Sequence, residues 1–209
     1  MTTLKFIPVL LLLIVLYSCE QRSAPKKADP VAFELLKKAL TLEAFIDNAD
    51  SAKEAISLLD KATSIDSNYY WGHYNKLMFF YQLKQFDRAI LTVKKLIQLR
   101  PEAHDLYLTE GILYERIDDS ISSRPYFEKS LAICNAVLDT MSKTNKEYEL
   151  IFGNKAVNLI MLGEEAKANE LLKKLYDSAP DQVHKLKVSY LMNKSKKEVI
   201  ARMKEEHSH

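Results

Sequence analysis

A repeat period of 34 residues constrains the fold of this chain more than any other feature of its sequence. Ala55 and Ala89 are 34 positions apart, and one further step of 34 reaches Ser123, which is also small. Ala168 lies 79 positions after Ala89, which is two periods plus eleven residues. A fixed period of this length predicts a stack of similar helical units rather than one irregular core.

The period divides the chain into four units with an eleven-residue insertion after the third. We place the units at about 36–69, 70–103, 104–137 and 149–182. Ser67 and Pro101 end two successive units at the same interval of 34, and each unit has room for two amphipathic helices. Only 4 Gly and 6 Pro occur in 209 residues, which disfavours a turn-rich β architecture. We therefore predict an all-α, α-α superhelix of about four helix pairs across residues 30–182.

Local sequence signals predict where several helices begin. Asp29 before Pro30, Asp87 and Asp181 are good N-cap residues, because a short side chain can accept the free backbone N–H groups of a first turn. The segments 51–54 and 195–198 each pair a Ser with a Glu three residues later, which is a capping box. Asp181 and the capping box at 195–198 predict a shortened helix pair, which together with a polar tail makes up residues 183–209. We expect this pair to cap the open end of the stack.

The third unit departs from the period because its second helix looks too long. Apolar side chains continue at spacings of 4, 3, 4 and 3 past the expected end of the unit: Phe127, Leu131, Cys134, Leu138 and Met141. This stripe predicts one extended helix over about 123–142, beginning near Ser122–Pro125. We interpret Cys134 as a core thiol on the buried stripe rather than a redox or metal residue.

The sizes of side chains within the units resemble the tetratricopeptide repeat (TPR) family. The family has a large–Gly–aromatic pattern in the first helix of a unit and an Ala–large–small pattern in the second. Here these patterns fall at Tyr107, Gly111 and Tyr114 in the third unit and at Ala55, Leu59 and Ala62 in the first. The resemblance covers most of residues 30–182, and it implies a solenoid whose first helices line a concave groove.

The same resemblance implies which side chains face that groove. Mapped position by position, they are Trp71, Tyr74, Met78, Tyr81, Leu108, Ile112, Val157 and Ile160. This stripe is apolar, rich in aromatic residues and poor in charge, which is typical of a site for a peptide or helix of a protein partner. The alternative is that the C-terminal helices fold into the groove and bury the stripe.

The first 29 residues have the pattern of a targeting segment followed by a tether. The apolar run 6–16 is shorter than the roughly 20 residues of a membrane span. It ends in Leu16-Tyr17-Ser18-Cys19, which resembles the lipobox of bacterial lipoproteins. The resemblance implies a signal peptide at 1–18, a diacylglycerol on the Cys19 thiol and a polar tether at 19–29. We therefore expect a lipid-anchored protein of the bacterial envelope at the outer membrane, facing the periplasm. The alternative is an ordinary secretory signal. Glu20 directly after the cysteine also leaves open whether the protein is exposed at the cell surface.

Catalytic and cofactor patterns are missing from the sequence. None of the five histidines stands at a recognised metal or nucleophile spacing, and the four glycines form no phosphate-binding loop. The net charge of +2 gives no reason to expect nucleic acid as a partner. We therefore predict no enzyme activity, no metal and no cofactor.

Three functions fit these observations. The first is a non-catalytic adaptor or scaffold that holds a segment of an envelope protein in its groove. The second is an immunity or inhibitor protein that occludes a toxin or enzyme, and the third is a small-ligand or enzymatic role. The third would need an enclosed polar pocket with perturbed titratable groups.

Replacing the predicted lipidation residue tests the anchor. Cys19→Ser removes the thiol that would carry the lipid, so the protein should move from the membrane fraction to the soluble fraction. Stable anchoring by acyl chains resists high salt, because the buried CH₂ groups hold it. A mutant that stays with the membrane after a high-salt wash would refute lipidation as the anchor.

Overall fold

The computed structural model describes residues 27–205, and these form ten α-helices and no β-strand. The predicted signal peptide, Cys19, most of the tether and the tail 206–209 lie outside the described residues. No helix within 27–205 is both long and apolar enough to cross a bilayer. The helices are Pro30–Thr41 (α1), Ala49–Ile65 (α2), Tyr70–Gln82 (α3), Phe86–Leu99 (α4), His104–Arg116 (α5), Ser120–Thr140 (α6), Tyr148–Met161 (α7), Glu165–Ser178 (α8), Gln182–Ser189 (α9) and Lys196–Glu205 (α10).

The helices pack in sequential antiparallel pairs, as the period predicts. Each helix from α1 to α8 contacts the next along the chain, and α1 also contacts α3 while α5 contacts α7. The first helices of successive units therefore lie side by side. The four small residues that define the period are all fully buried: Ala55, Ala89, Ser123 and Ala168. The all-α superhelix of helix pairs is confirmed.

Three of the predicted helix starts are confirmed by side-chain hydrogen bonds. The Asp29 carboxylate accepts from the backbone N–H of Val31 at 2.8 Å and opens α1, and Asp181 accepts from His184 N at 2.9 Å and opens α9. Ser195 and Glu198 bond reciprocally, with the Ser195 N–H donating to the Glu198 carboxylate at 2.9 Å.

Two predicted starts are wrong by about two residues. Helix α2 begins at Ala49 rather than at Ser51, because the Asn48 side chain accepts from the N–H groups of Asp50 and Ser51 and caps the helix earlier. Helix α4 begins at Phe86, so Asp87 lies in its first turn and not at its N-cap. A carboxylate there still favours the positive end of the helix dipole.

The extended helix of the third unit is present as α6, which has 21 residues. It begins at Ser120, earlier than expected, because the Asp119 carboxylate accepts from Ser122 N at 3.0 Å. Phe127 and Cys134 are fully buried, whereas Leu138 near the end of the stripe is only half-buried. Burial raises the pKa of the Cys134 thiol to about 11, which keeps it protonated and unreactive.

Helices α5 and α6 approach each other closely at Gly111. A Cβ atom added at Gly111 would lie 2.6 Å from the ring of Phe127, closer than atoms can pack. Phe127 is fully buried in the C-terminal core cluster. Helix α5 also contributes Leu106 and Leu113 to the N-terminal cluster, so this one helix joins both halves of the core.

The two helices of the C-terminal pair pack in different places. Helix α9 packs on α8, where the next repeat would lie, but α10 turns back and packs against α5. Val199 of α10 is buried in the C-terminal core cluster. The reason for the difference is that α10 finds both an apolar face and acidic partners at α5.

Two glycine substitutions should separate packing from helix propensity. Gly111→Ala should destabilise the fold by about 1–3 kcal/mol, because the new methyl group overpacks the α5–α6 crossing. Gly153→Ala in α7 meets nothing within 4 Å and should add about 0.5–1 kcal/mol, since alanine loses less entropy in a helix. Chemical denaturation followed by circular dichroism measures both. Equal effects of the two substitutions would contradict the close approach.

Candidate protein-binding groove

The structure divides the eight predicted groove residues into three groups by their exposure. Trp71 and Tyr74 are exposed, with 50% and 40% of their surface accessible. Four are half-buried: Met78, Tyr81, Ile112 and Val157. Leu108 and Ile160 retain only 7% and 1% exposure and belong to the C-terminal core cluster. The predicted stripe is therefore most exposed at its N-terminal end, and Leu108 and Ile160 are covered in this structure.

The exposed end is held together by a cluster of aromatic rings at the start of α3. The Trp71 ring lies edge-on to Tyr70 at 5.2 Å and to Tyr74 at 5.6 Å between centroids. The Arg100 guanidinium, at the end of α4, stacks over Tyr70 at 3.7 Å from the ring centroid. Cation–π and edge-to-face contacts fix these rings without burying them. The sequence pattern did not predict the roles of Tyr70 and Arg100.

A cleft of about 730 Å³ lies beside these rings, between the start of α1 and the end of α4. We call it the aromatic cleft, and its main lining residues are Phe33, Glu34, Asp66, Tyr70, Trp71 and Arg100. Phe33 on α1 is exposed, so two large apolar side chains, Phe33 and Trp71, are accessible in one concave site. Burial raises the pKa of the Tyr70 hydroxyl, which therefore stays a neutral hydrogen-bond donor. The cleft can hold an apolar or aromatic side chain with a polar group beside it.

Helix α10 occupies the middle of the groove. The Lys196 Nζ lies 2.7 Å from Oε1 of Glu115, and Lys204 pairs with Asp118 just beyond the end of α5. Val199 is buried between these two ion pairs along the helix, while Ile112 on α5 is packed against the same core cluster. The alternative raised from the sequence, that C-terminal helices fill the groove, therefore applies to the third unit and not to the aromatic cleft.

Glu115 is a buried carboxylate with three donors. It is 3% exposed, and it accepts hydrogen bonds from the hydroxyl groups of Ser120 and Ser123 as well as from Lys196. Burial acts to raise the pKa of the Glu115 carboxyl, but the hydrogen bonds from Lys196, Ser123 and Ser120 outweigh it and hold the pKa below its ordinary value. The carboxylate is therefore charged in the folded protein and needs a cation beside it.

Glu110, one and a half turns earlier on α5, has the opposite environment. It is 1% exposed, and the nearest cation, Lys94 Nζ, lies 4.0 Å from its Oε1. Burial raises the pKa of the Glu110 carboxyl. Glu110 faces α4 rather than α10, so of these two carboxylates only Glu115 contacts the helix that lies in the groove.

A second, smaller slot of about 370 Å³ lies between α7, α8 and α9. Leu150, Val157 and Leu191 line it, and Leu150 is exposed. The slot is apolar. No group of three His, Cys, Asp or Glu side chains anywhere in residues 27–205 is placed to hold a metal ion.

Comparison with known proteins gives matches among solved structures alone. Neither the family models nor the curated proteins show a match. PilW, a type IV pilus biogenesis factor, is 15% identical, with a TM-score of 0.55 over 86% of this chain and 79% of its own. The MamA RS-1 ArsTM double mutant is also 15% identical, with a TM-score of 0.53 over 87% and 92% of the two chains.

These likenesses concern the fold, since the identities are low. Together with the buried small residues that recur in each helix pair, they decide the architecture. The chain has the tetratricopeptide repeat fold. A TPR protein of Parabacteroides merdae is a further similar structure, at 15% identity and a TM-score of 0.43. Within this fold, the predicted groove residues Trp71 and Tyr74 are exposed, whereas α10 lies against the third unit.

The two buried glutamates of α5 should respond to pH in opposite directions. A carboxyl with a lowered folded pKa contributes stability above its unfolded pKa, about 4.5, and loses it as the pH falls. Glu115→Gln should therefore cost about 1.5–3 kcal/mol near pH 7, typical of a hydrogen bond to a charged group, and less in acid. Glu110→Gln should gain stability relative to wild type as the pH rises from about 4.5, since the raised pKa marks a charge that folding disfavours.

Melting temperatures of the two variants and wild type, measured from about pH 4 to pH 7, provide the check. The difference between variant and wild type should become more negative with pH for Glu115→Gln and more positive for Glu110→Gln. Parallel curves for the two variants would show that their environments are alike and would contradict the ion pair with α10.

Proposed function

We propose that this protein is a non-catalytic adaptor of the bacterial envelope. A lipid on Cys19 holds it at the outer membrane, and the TPR array binds a peptide or helix of another envelope protein in its groove. The proposed contact surface is the open end of the groove, formed by the aromatic cleft together with Tyr74 and Met78.

The observation that carries the proposal is the exposure of ordered aromatic side chains in a concave site. Trp71, Tyr74 and Phe33 are accessible, yet Trp71 and Tyr74 have fixed ring contacts and stand on a helix of the array. Aromatic residues that are rigid before binding lose little entropy on binding, which is why they dominate protein interfaces. Aromatic side chains that contact only water have no reason to cluster beside one cleft, so their grouping favours a binding site.

The chemistry of the described residues supports binding rather than catalysis. The thiol of Cys134 is buried, with its pKa raised to about 11, so it offers no thiolate nucleophile. His73 and His104 are both half-buried, and burial lowers the pKa of each. The described titratable groups with strong shifts lie at helix interfaces and not around the aromatic cleft.

Two observations support the envelope as the place of action. The lipobox-like sequence ending at Cys19 follows an apolar run of signal-peptide length. PilW, which shares the fold, is a type IV pilus biogenesis factor. The second observation is a likeness of fold, so it adds to the first and does not replace it.

Alanine substitutions at the cleft test the proposal. Trp71→Ala with Tyr74→Ala should weaken partner capture by about 2 kcal/mol or more, or roughly thirtyfold, because anchor side chains carry most of the binding energy. The measurement is a crosslinked pull-down of the lipidated protein from its own envelope. The thermal stability should stay near wild type, since both side chains are exposed.

Leu91→Ala is a matched control, because Leu91 is an equally apolar and exposed side chain on α4, outside the cleft. It should capture the same partner as wild type. If the cleft variant keeps its partner at the wild-type level, the aromatic cleft is not the binding site.

A further inference from the structure

Helix α10 lies across the third unit where a bound segment would lie in an open groove. The side chains by which it contacts α5 are of the kinds that a bound peptide would use, namely basic residues at both ends and apolar residues between them. Lys196 pairs with the buried Glu115 at one end of α10, and Lys204 pairs with Asp118 at the other. Between them, Val199 is buried while Ile200 and Met203 are half-buried.

These five side chains lie on one face of α10. Counted from Lys196, the apolar residues stand at positions +3, +4 and +7 and the second lysine at +8, which is helical spacing. They meet an apolar surface that includes two predicted groove residues, Leu108 and Ile112. Along this face the lysines of α10 meet acidic residues and its apolar side chains meet an apolar surface. This part of the groove is therefore complementary to a helix with basic and apolar residues at these positions.

The attachment of α10 is slight compared with that of the other helices. It packs mainly against α5, and Val199 is its only buried apolar side chain among those described. The Asp118–Lys204 pair is open to solvent, so salt screens it. Asn193, in the turn before α10, adopts a left-handed conformation with φ of 56°, which marks a sharp reversal of the chain. A competing helix of the same chemistry can therefore replace α10.

We infer that the middle of the groove binds an amphipathic helix of a partner protein with the chemistry of α10, and that α10 is its intramolecular competitor. The partner helix carries basic residues eight positions apart, with three apolar residues at the third, fourth and seventh positions between them. This inference deepens the proposed function and rests on it, because it names the partner chemistry for the covered part of the same groove.

Glu115 sets the charge of the occupant. If α10 leaves, the Glu115 carboxylate loses its cation and keeps the hydrogen bonds from the Ser120 and Ser123 hydroxyl groups, and a partner helix in the same place would bury it again. A buried charge without a counterion is strongly unfavourable. A partner helix must therefore supply a lysine or arginine at the position of Lys196, and an acidic or wholly apolar segment is rejected.

The test uses the full chain in detergent and a fluorescently labelled peptide with the sequence of residues 194–205. In the double variant Lys196→Glu, Lys204→Glu, the two new carboxylates are repelled by Glu115 and Asp118, so α10 leaves α5 and frees the surface. This variant should bind the peptide at least about tenfold more tightly than wild type, because the competing helix no longer occupies the site. Fluorescence anisotropy measures the affinity, and the peptide should also raise the melting temperature of the variant.

Two controls isolate the interaction. A peptide with both lysines replaced by glutamate should not bind, and adding Glu115→Gln to the released variant should remove most of the gain. Equal binding of the two peptides, or no gain on release, would overturn the inference. Should the double variant lose its helical circular dichroism, Lys204→Ala leaves the Lys196–Glu115 pair in place and should still give a gain of about threefold.

The outcome is independent of the aromatic cleft. Trp71→Ala with Tyr74→Ala should leave peptide binding unchanged, since neither residue contacts α10 or its site. If the peptide test fails but the cleft variant loses its partner, the inference about α10 is overturned and the proposed function stands.

Discussion

The close approach of the two helices in each unit is the constraint on which the rest of the structure depends. It requires a side chain no larger than a hydroxymethyl group at one crossing position in every second helix, and Ala55, Ala89, Ser123 and Ala168 are all fully buried there. In the third unit Gly111 must also leave room for Phe127. Because every pair has a small buried residue at this crossing, the pairs pack in a regular order, and the first helices of the units lie on one side of the stack.

That concave face is used in two different ways. At its N-terminal end, the aromatic rings are fixed by contacts with each other and with Arg100 but remain open to solvent. In the middle, the buried carboxylate of Glu115 needs a cation, and the chain provides one from α10. The buried Glu115, together with Asp118 and the apolar surface between them, therefore accounts for the return of the last helix to α5.

The repeat, the helix pairs and the long α6 could be predicted from the sequence, because small and apolar side chains recur at intervals that only helical packing requires. The course of α10 could not. Its capping box at Ser195 predicts a helix but not its location, and the pairing of Lys196 with Glu115 joins residues 81 positions apart. The exposed end of the groove was predicted in part: Trp71 and Tyr74 follow from the resemblance to the repeat family, whereas Arg100 reaches the site only because α4 ends beside α3.

Carbodiimide crosslinking of the intact chain tests this division of the groove most directly. The reagent condenses an amine and a carboxylate into an amide without a spacer, so it links only groups that come into direct contact, and the Lys204–Asp118 pair is exposed enough to react. Peptide mapping of the monomer by mass spectrometry should find a Lys204–Asp118 link between α10 and the end of α5. If the α10 lysines instead link to carboxylates elsewhere, or only between molecules, then α10 does not lie in the middle of the groove and Glu115 does not determine its course.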